Sequence, residues 1–341
     1  MAGPFGGNGY LQPVGWLRLT HGDDKAFFMR RIAFALMLPL AAIGVLAGCA
    51  GSSPSLATTP VVTVSGAFGR APTIKIPAEK ASSNLTVKTL IHGSGATLTK
   101  TQAFVVNYAI YIWSGSSHRL VQSSFTTHEP RLFEGQLLPG LEKALIGQKM
   151  GSRVLAVIPP KQAFGTKGNP QAGIKGTDTL VFVVDLIKAY APNASASGQQ
   201  VSSGGGSLPT VTAATGTAPK IKMPSSQPPT KLVTKTLVKG TGPAIAKQQT
   251  LVVQYVGAIW RNGTVFDASW TRQQPFAFTI AANPSQVLPG WDKGLIGQTV
   301  GSRVMLVMPP ADGYGKSGNS QAGIKANDTV VFVVDILGSF S

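Results

Sequence analysis

Apolar positions gather in two stretches of more than 100 residues, and within each they read as strands. Leu251-Val252-Val253-Gln254-Tyr255-Val256 and Val330-Val331-Phe332-Val333-Val334 are β-branched and aromatic runs, the side chains that suit a pleated, half-buried surface. Arg261-Asn262-Gly263-Thr264 carries the Asn-Gly signal of a tight, hairpin-like turn. Only one short helix is expected in the second stretch. It begins near Pro289, covers Trp291 to Ile296 and ends at Gly297 as its C-cap. A sheet with one face to cover, and a single short helix to cover it, predicts an α+β unit.

The pattern occurs twice. Gln136-Leu137-Leu138-Pro139-Gly140 recurs as Gln286-Val287-Leu288-Pro289-Gly290, and Leu145-Ile146-Gly147-Gln148 as Leu295-Ile296-Gly297-Gln298. Gly151-Ser152-Arg153-Val154 recurs as Gly301-Ser302-Arg303-Val304, and Gln171-Ala172-Gly173-Ile174-Lys175 as Gln321-Ala322-Gly323-Ile324-Lys325. Even the lead-ins pair, Ala71-Pro72-Thr73-Ile74-Lys75 with Ala218-Pro219-Lys220-Ile221-Lys222. Two copies of this size are a domain duplication, not a solenoid. The units are placed at 81–190 and 231–341. The stretches 49–80 and 191–230 are rich in Ser, Thr, Pro, Ala and Gly and poor in large apolar residues. They are expected to be a flexible tether and a flexible linker, leaving the two domains to move independently.

The N-terminal region reads differently. Met29-Arg30-Arg31, an apolar run from Ile32 to Ala47 and the end Leu46-Ala47-Gly48-Cys49 form a secretory signal. The run is short for a membrane span of about 20 residues. The Leu-Ala-Gly-Cys end resembles the bacterial lipobox, which implies lipidation of Cys49 and a protein held at the outer side of the cell membrane. Residues 29–48 are thus the expected signal, and 1–28 an artefact of start-site choice or a disordered extension.

Composition narrows the function classes. The 341 residues carry 30 Lys and Arg against 13 Asp and Glu, a formal net charge of +17, yet charged residues are only 13% of the chain. The cations are scattered singly, without the basic patches or aromatic platforms of a nucleic-acid module, so no nucleic acid is expected. Removing the four basic and two acidic residues ahead of Cys49 leaves +15, which suits an anionic envelope. One cysteine excludes an internal disulfide framework. His21, His92, His118 and His128 have no ligand spacing, so neither metal nor cofactor is expected.

The second unit resembles the FKBP-type peptidyl-prolyl isomerases, the immunophilin family that binds the macrolide tacrolimus. The resemblance runs through Val253-Gln254-Tyr255-Val256-Gly257, Gly263-Thr264-Val265-Phe266-Asp267-Ala268-Ser269 and Pro275-Phe276-Ala277-Phe278. It continues through Gln286-Val287-Leu288-Pro289-Gly290-Trp291, Tyr314-Gly315 and Val331-Phe332. Each piece is weak alone; six in order are specific. The resemblance implies two FKBP-like domains, each an antiparallel sheet curled around one short helix. It implies rotation about X–Pro bonds of exported polypeptides, with tacrolimus-like macrolides as a second ligand class.

The same resemblance assigns a site. Trp291 is the implied floor, with Tyr255, Phe276, Val287, Leu288 and Phe332 as walls and Phe266 and Ile324 closing the sides. Asp267 and Tyr314 are the polar rim, Arg272 pairs with Asp267, and the Leu288 backbone N–H holds the peptide. Taken one at a time, the large apolar members are ordinary core residues of a small sheet domain. The first unit keeps Tyr108, Leu137-Leu138 and Phe182 but has Val121-Gln122 opposite Phe266-Asp267. It also puts Arg131 for Phe276, Leu141 for Trp291, Phe164 for Tyr314 and Thr127 for Arg272. Poor or absent isomerase activity is expected of it. The alternative function is a non-catalytic envelope lipoprotein that uses FKBP-like domains to bind peptides or proteins.

Overall fold

The computed structural model describes residues 61–341. The start-site extension, the signal, Cys49 and the first part of the tether lie outside the described residues. In chain order the first unit holds β1 (Thr63–Ser65), β2 (Thr73–Lys75), β3 (Thr86–Ile91), β4 (Ala103–Ser114), β5 (Ser117–Ser123), α1 (Ser124–Thr127), β6 (Arg131–Phe133), α2 (Pro139–Leu145), β7 (Arg153–Ile158) and β8 (Thr179–Tyr190). The second holds β9 (Gln199–Gln200), β10 (Thr210–Thr212), β11 (Lys220–Lys222), β12 (Val233–Lys239), β13 (Thr250–Ile259), β14 (Val265–Ala268), β15 (Phe276–Thr279), α3 (Pro289–Leu295), β16 (Arg303–Met308) and β17 (Val330–Phe340). The sheets run β3-β7-β8-β4-β5 and β9-β12-β16-β17-β13-β14, with β6 also on β4 and β15 also on β13. All pairings are antiparallel. Two α+β units of one topology result.

Local chemistry explains the helices. Pro139 and Pro289 open α2 and α3, where a missing N–H costs nothing. The helices then bury Leu141 and Leu145, or Trp291 and Leu295, against the inner face of each sheet. A Cβ on Gly290 would lie 2.1 Å from Met308 Sδ, so only glycine lets α3 approach β16 this closely. The helix ends at Leu295, one residue before the expected end, and Gly297 takes φ +81° just beyond it.

The expected tethers are not free chain from residue 61 onward. Segments β1–β2 and β10–β11 are two-stranded hairpins, each laid on the outer face of the adjoining sheet. Val62, Val64, Ile74 and Ile76 pack on Trp113, Leu155, Val157, Val181 and Val183. Leu208, Val211, Ile221 and Met223 pack on Trp260, Met305, Val307, Val331 and Val333. Trp113 Nε1 donates to Glu79 O at 2.8 Å and Trp260 Nε1 to Ser226 O at 3.2 Å. Val62 and Val64, Ile74 and Ile76, and Ile221 and Met223 stand two apart, the strand period, so one side of each hairpin is apolar although the average composition is not. Strand β9, inside the expected linker, adds an edge to the second sheet.

A buried ion pair clips each incoming segment. Arg153 Nε and Nη2 donate to Asp185 at 2.6 and 2.8 Å, and its Nη1 and Nη2 donate to Gly66 O and Arg70 O at 2.9 and 2.7 Å. Gly69 N–H donates to Asp185 Oδ2 at 2.7 Å. Arg303 and Asp335 repeat the pair at 2.6 and 2.7 Å, and Ala196 N–H of the linker donates to Asp335 Oδ2 at 3.0 Å.

The two units also meet, contrary to the expectation of independent domains. Val105, Tyr190 and Val252 share one apolar cluster with Leu132, Ile187, Ala194, Ala277, Leu337 and Phe340. The strand registers make these equivalent positions of the two repeats: Val105 and Val252, Leu132 and Ala277, Ile187 and Leu337, Tyr190 and Phe340. A Cβ on Gly338 would lie 2.1 Å from the Tyr190 hydroxyl oxygen, so glycine is what lets Tyr190 seat on the second sheet.

Candidate functional site

Strands β13 and β17 lie side by side with Gly257 opposite Phe332 and Tyr255 opposite Val334, and α3 crosses their inner face. This places Tyr255, Trp291 and Phe332 together, all buried. Their rings meet edge to face or tilted, with Trp291 5.5 Å from Tyr255 and 5.2 Å from Phe332. Phe276, the first residue of β15, stands 5.9 Å from Tyr255 and 6.4 Å from Trp291. Phe266 on β14 lies 5.5 Å from Phe332 and 6.0 Å from Tyr314, both nearly perpendicular. Val287, Leu288 and Ile324 complete the cluster. A cluster of aromatic rings at these separations gains beyond simple burial.

The polar groups sit on one side of it. Tyr255 donates its hydroxyl proton to Asp267 Oδ2. Arg272 Nη1 donates to Asp267 Oδ1 at 2.6 Å, and Nη2 to the Tyr255 hydroxyl at 2.7 Å. The guanidinium also lies over the Tyr255 ring, 5.7 Å from its centroid. Burial first, and then the Asp267 carboxylate beside it, push the Tyr255 hydroxyl far above the ordinary phenol range. It therefore stays protonated and acts as a fixed donor.

Of the eleven residues singled out from the sequence, nine belong to this one apolar cluster, and Asp267 and Arg272 bond to Tyr255 within it. Leu288 occupies the N-cap position of α3, which fixes its backbone at the head of the helix. Two supports escaped the sequence reading. Gly257 is one: a Cβ there would lie 2.7 Å from Phe332 Cε1 and 2.8 Å from Phe266 Cζ. Its repeat partner is Ile110, since Gly257 pairs with Phe332 and Asp267 as Ile110 pairs with Phe182 and Gln122. The motif contrast Tyr-Val-Gly against Tyr-Ala-Ile was the available signal. Ser269 is the other: its Oγ accepts Tyr255 N–H at 2.8 Å and donates to Gln254 Oε1.

The first unit builds the corresponding place from different side chains. Ile110, Val121, Gln122, Leu138, Phe164, Ile174, Leu180 and Phe182 line a cavity of about 30 Å³, which holds little more than a water or two. Arg119 Nη2 donates to Ala172 O and Gly173 O at 3.2 and 2.9 Å, fastening the loop that carries Ile174. Arg131, opposite Val106 on β4 as Phe276 is opposite Val253 on β13, is paired with Glu129 at 2.9 Å. Burial, opposed by Arg131, pushes the Tyr108 hydroxyl up to about 12.

Comparison with known proteins points the same way. The FK506-binding protein of Streptomyces anulatus is 38% identical over 119 residues, 35% of this chain and 94% of that protein. FkpA of Escherichia coli strain K12, an FKBP-type peptidyl-prolyl cis-trans isomerase, is 39% identical over 108 residues, 32% of this chain and 37% of that protein. Human peptidyl-prolyl cis-trans isomerase FKBP9 is 25% identical over 222 residues, 65% of this chain and 31% of that protein. The chain spans nearly all of the first relative and about a third of the other two. A model of the FKBP-type peptidyl-prolyl cis-trans isomerases matches residues 95–187 and again residues 242–337. With both sheets carrying the matched segments, and those segments making up more than half of its length, the chain belongs to the FKBP-type peptidyl-prolyl cis-trans isomerase family.

Proposed function

We propose that catalysis resides in the second unit alone, on X–Pro bonds of exported polypeptides. The observation that carries this is the contrast at one position: the bare Gly257 lets the Phe266 and Phe332 rings close in to where a Cβ would stand, whereas the first unit has Ile110 there. Rotation about the bond must pass a barrier of about 18–20 kcal/mol set by amide resonance. No bond breaks, so no nucleophile or acid–base pair is needed. The twisted amide is less polar than the planar one, and an apolar, water-poor bowl favours it. In this reading Trp291 is the floor under the proline ring, and Tyr255, Phe276, Val287, Leu288 and Phe332 grip it. Phe266 and Ile324 close the sides, and Tyr314 donates to a substrate carbonyl. Asp267, held by Arg272 and Tyr255, fixes the polar rim, and the Leu288 N–H orients the peptide.

A protease-free cis/trans assay on the full chain tests this. Asp267→Ala and Phe276→Ala are expected to lower kcat/KM by about ten- to a hundredfold. Gln122→Ala and Arg131→Ala, at the matching places of the first unit, are expected to stay within about twofold. Equal losses from both sets would assign the activity to both units. The same reading makes Cys49 the lipid-bearing residue and the envelope the site of action. The Leu46-Ala47-Gly48-Cys49 end and the basic charge support it. Cys49→Ser is expected to move the protein from the membrane fraction to the soluble one.

A further inference from the structure

The segment 269–276 carries two groups of the site, Arg272 on its 3-10 turn (Ser269–Arg272) and Phe276 at the start of β15. It is tied at both ends to groups outside the second unit's sheet, at the first end through Gln254 of β13. At the first end, Ser269 Oγ donates to Gln254 Oε1, and Gln254 Nε2 donates to Pro192 O of the linker at 2.9 Å. Gln254 is fully buried, so this amide spends both its polar atoms on joining linker to turn. Its repeat partner Asn107 also accepts from a serine, Ser124, at 3.0 Å, but is one methylene shorter. At the second end, a Cβ on Gly135 of the first unit would lie 3.5 Å from Gln274 Nε2. Leu132, just before it, belongs to the same apolar cluster as Ala277, just after Phe276.

We propose that the first unit and the linker position the catalytic segment of the second. Leu132, Tyr190 and Gln254 are positioning residues, acting through Arg272 and Phe276 and touching no substrate. This rests on the reading that the second unit carries the activity. It gives the first unit a task that needs no pocket: its β6 edge and β8 end form a rigid stop against which the 269–276 segment is set. Packed interiors transmit such restraint because they have few alternative arrangements. A misplacement of about 1 Å in a site can cost large factors in rate.

The test uses the full chain with Leu132→Arg and, separately, Gly338→Leu, both at the seam and outside either inner core. Amide hydrogen exchange over 187–190 and 337–340 reports whether the seam opens. Each variant is expected to open it and to lower kcat/KM by about three- to tenfold, mainly in kcat. In a background with both Arg272→Ala and Phe276→Ala the same substitutions are expected to cost less than about twofold, because the two groups they act through are gone. An open seam with unchanged kcat/KM would overturn the proposal. So would an equal loss with and without the Arg272 and Phe276 side chains, which marks a merely structural effect. A seam that stays closed in both variants also overturns it. Failure of the underlying reading looks different: the unsubstituted chain would then show no Asp267-dependent turnover at all.

Discussion

Gly257→Ile is expected to abolish turnover while leaving the second unit folded. The substitution copies the first unit's own residue into the second. A Cβ at this position would lie 2.7 Å from Phe332 Cε1 and 2.8 Å from Phe266 Cζ, so the larger side chain must drive those two rings out of place. The expected loss in kcat/KM is about a hundredfold or more, close to 2.7 kcal/mol of transition-state stabilisation. The fold should survive because Ile110 is accommodated in a sheet of the same register. Overpacking costs of about 1–3 kcal/mol are the scale to compare with in a chemical denaturation curve. Retention of more than a tenth of the parent kcat/KM would show that turnover does not depend on the setting of those two rings.

The largest expected effect on stability belongs to Arg153→Met. Both members of the Arg153–Asp185 pair are buried, with side-chain exposures of 1% and 0%. Removing the guanidinium leaves a buried carboxylate with one backbone N–H for company, and takes the donors from Gly66 O and Arg70 O. Breaking a buried pair from one side costs about 3–5 kcal/mol, more than replacing both partners with apolar groups. Thermal unfolding of the first unit should therefore shift down by many degrees, and the β1–β2 hairpin should become sensitive to protease before the rest. The double variant Arg153→Met with Asp185→Leu is expected to recover part of the loss. If the single variant unfolds within about 1 kcal/mol of the parent, the clip is ornamental to the fold.

The duplication, the strand runs and the order of the site residues were legible because each depends on local spacing. Tyr255, Trp291 and Phe332 could be placed together from motif order alone. Gly257 sits inside a legible motif with its partner Ile110 in the same frame, but a missing side chain leaves no mark among candidate groups. The hairpins were missed for a different reason. Averaged composition hid the two-residue spacing of Val62 and Val64, and of Ile74 and Ile76. The unbroken apolar run Val330–Val334 was the counter-signal: a strand with both faces apolar needs cover on both sides. The seam could not be read at all. Val105, Leu132 and Ile187 look like any strand residues until the two sheets are set against each other.

That seam has a consequence for how the protein assembles. Equivalent surfaces of two repeats meeting each other is the arrangement by which identical subunits form closed pairs. Here both partners are on one chain, joined through Ala194, itself part of the cluster. Tethering of this kind sets a local concentration on the order of millimolar, well above what a second molecule in solution can offer. The apolar residues of each repeat are therefore satisfied from within. The difference between Lys188 and Gly338 adds selectivity, since a seam between two first units would drive a lysine side chain against Tyr190. The duplicated chain behaves as its own dimer and leaves that face closed to oligomer growth.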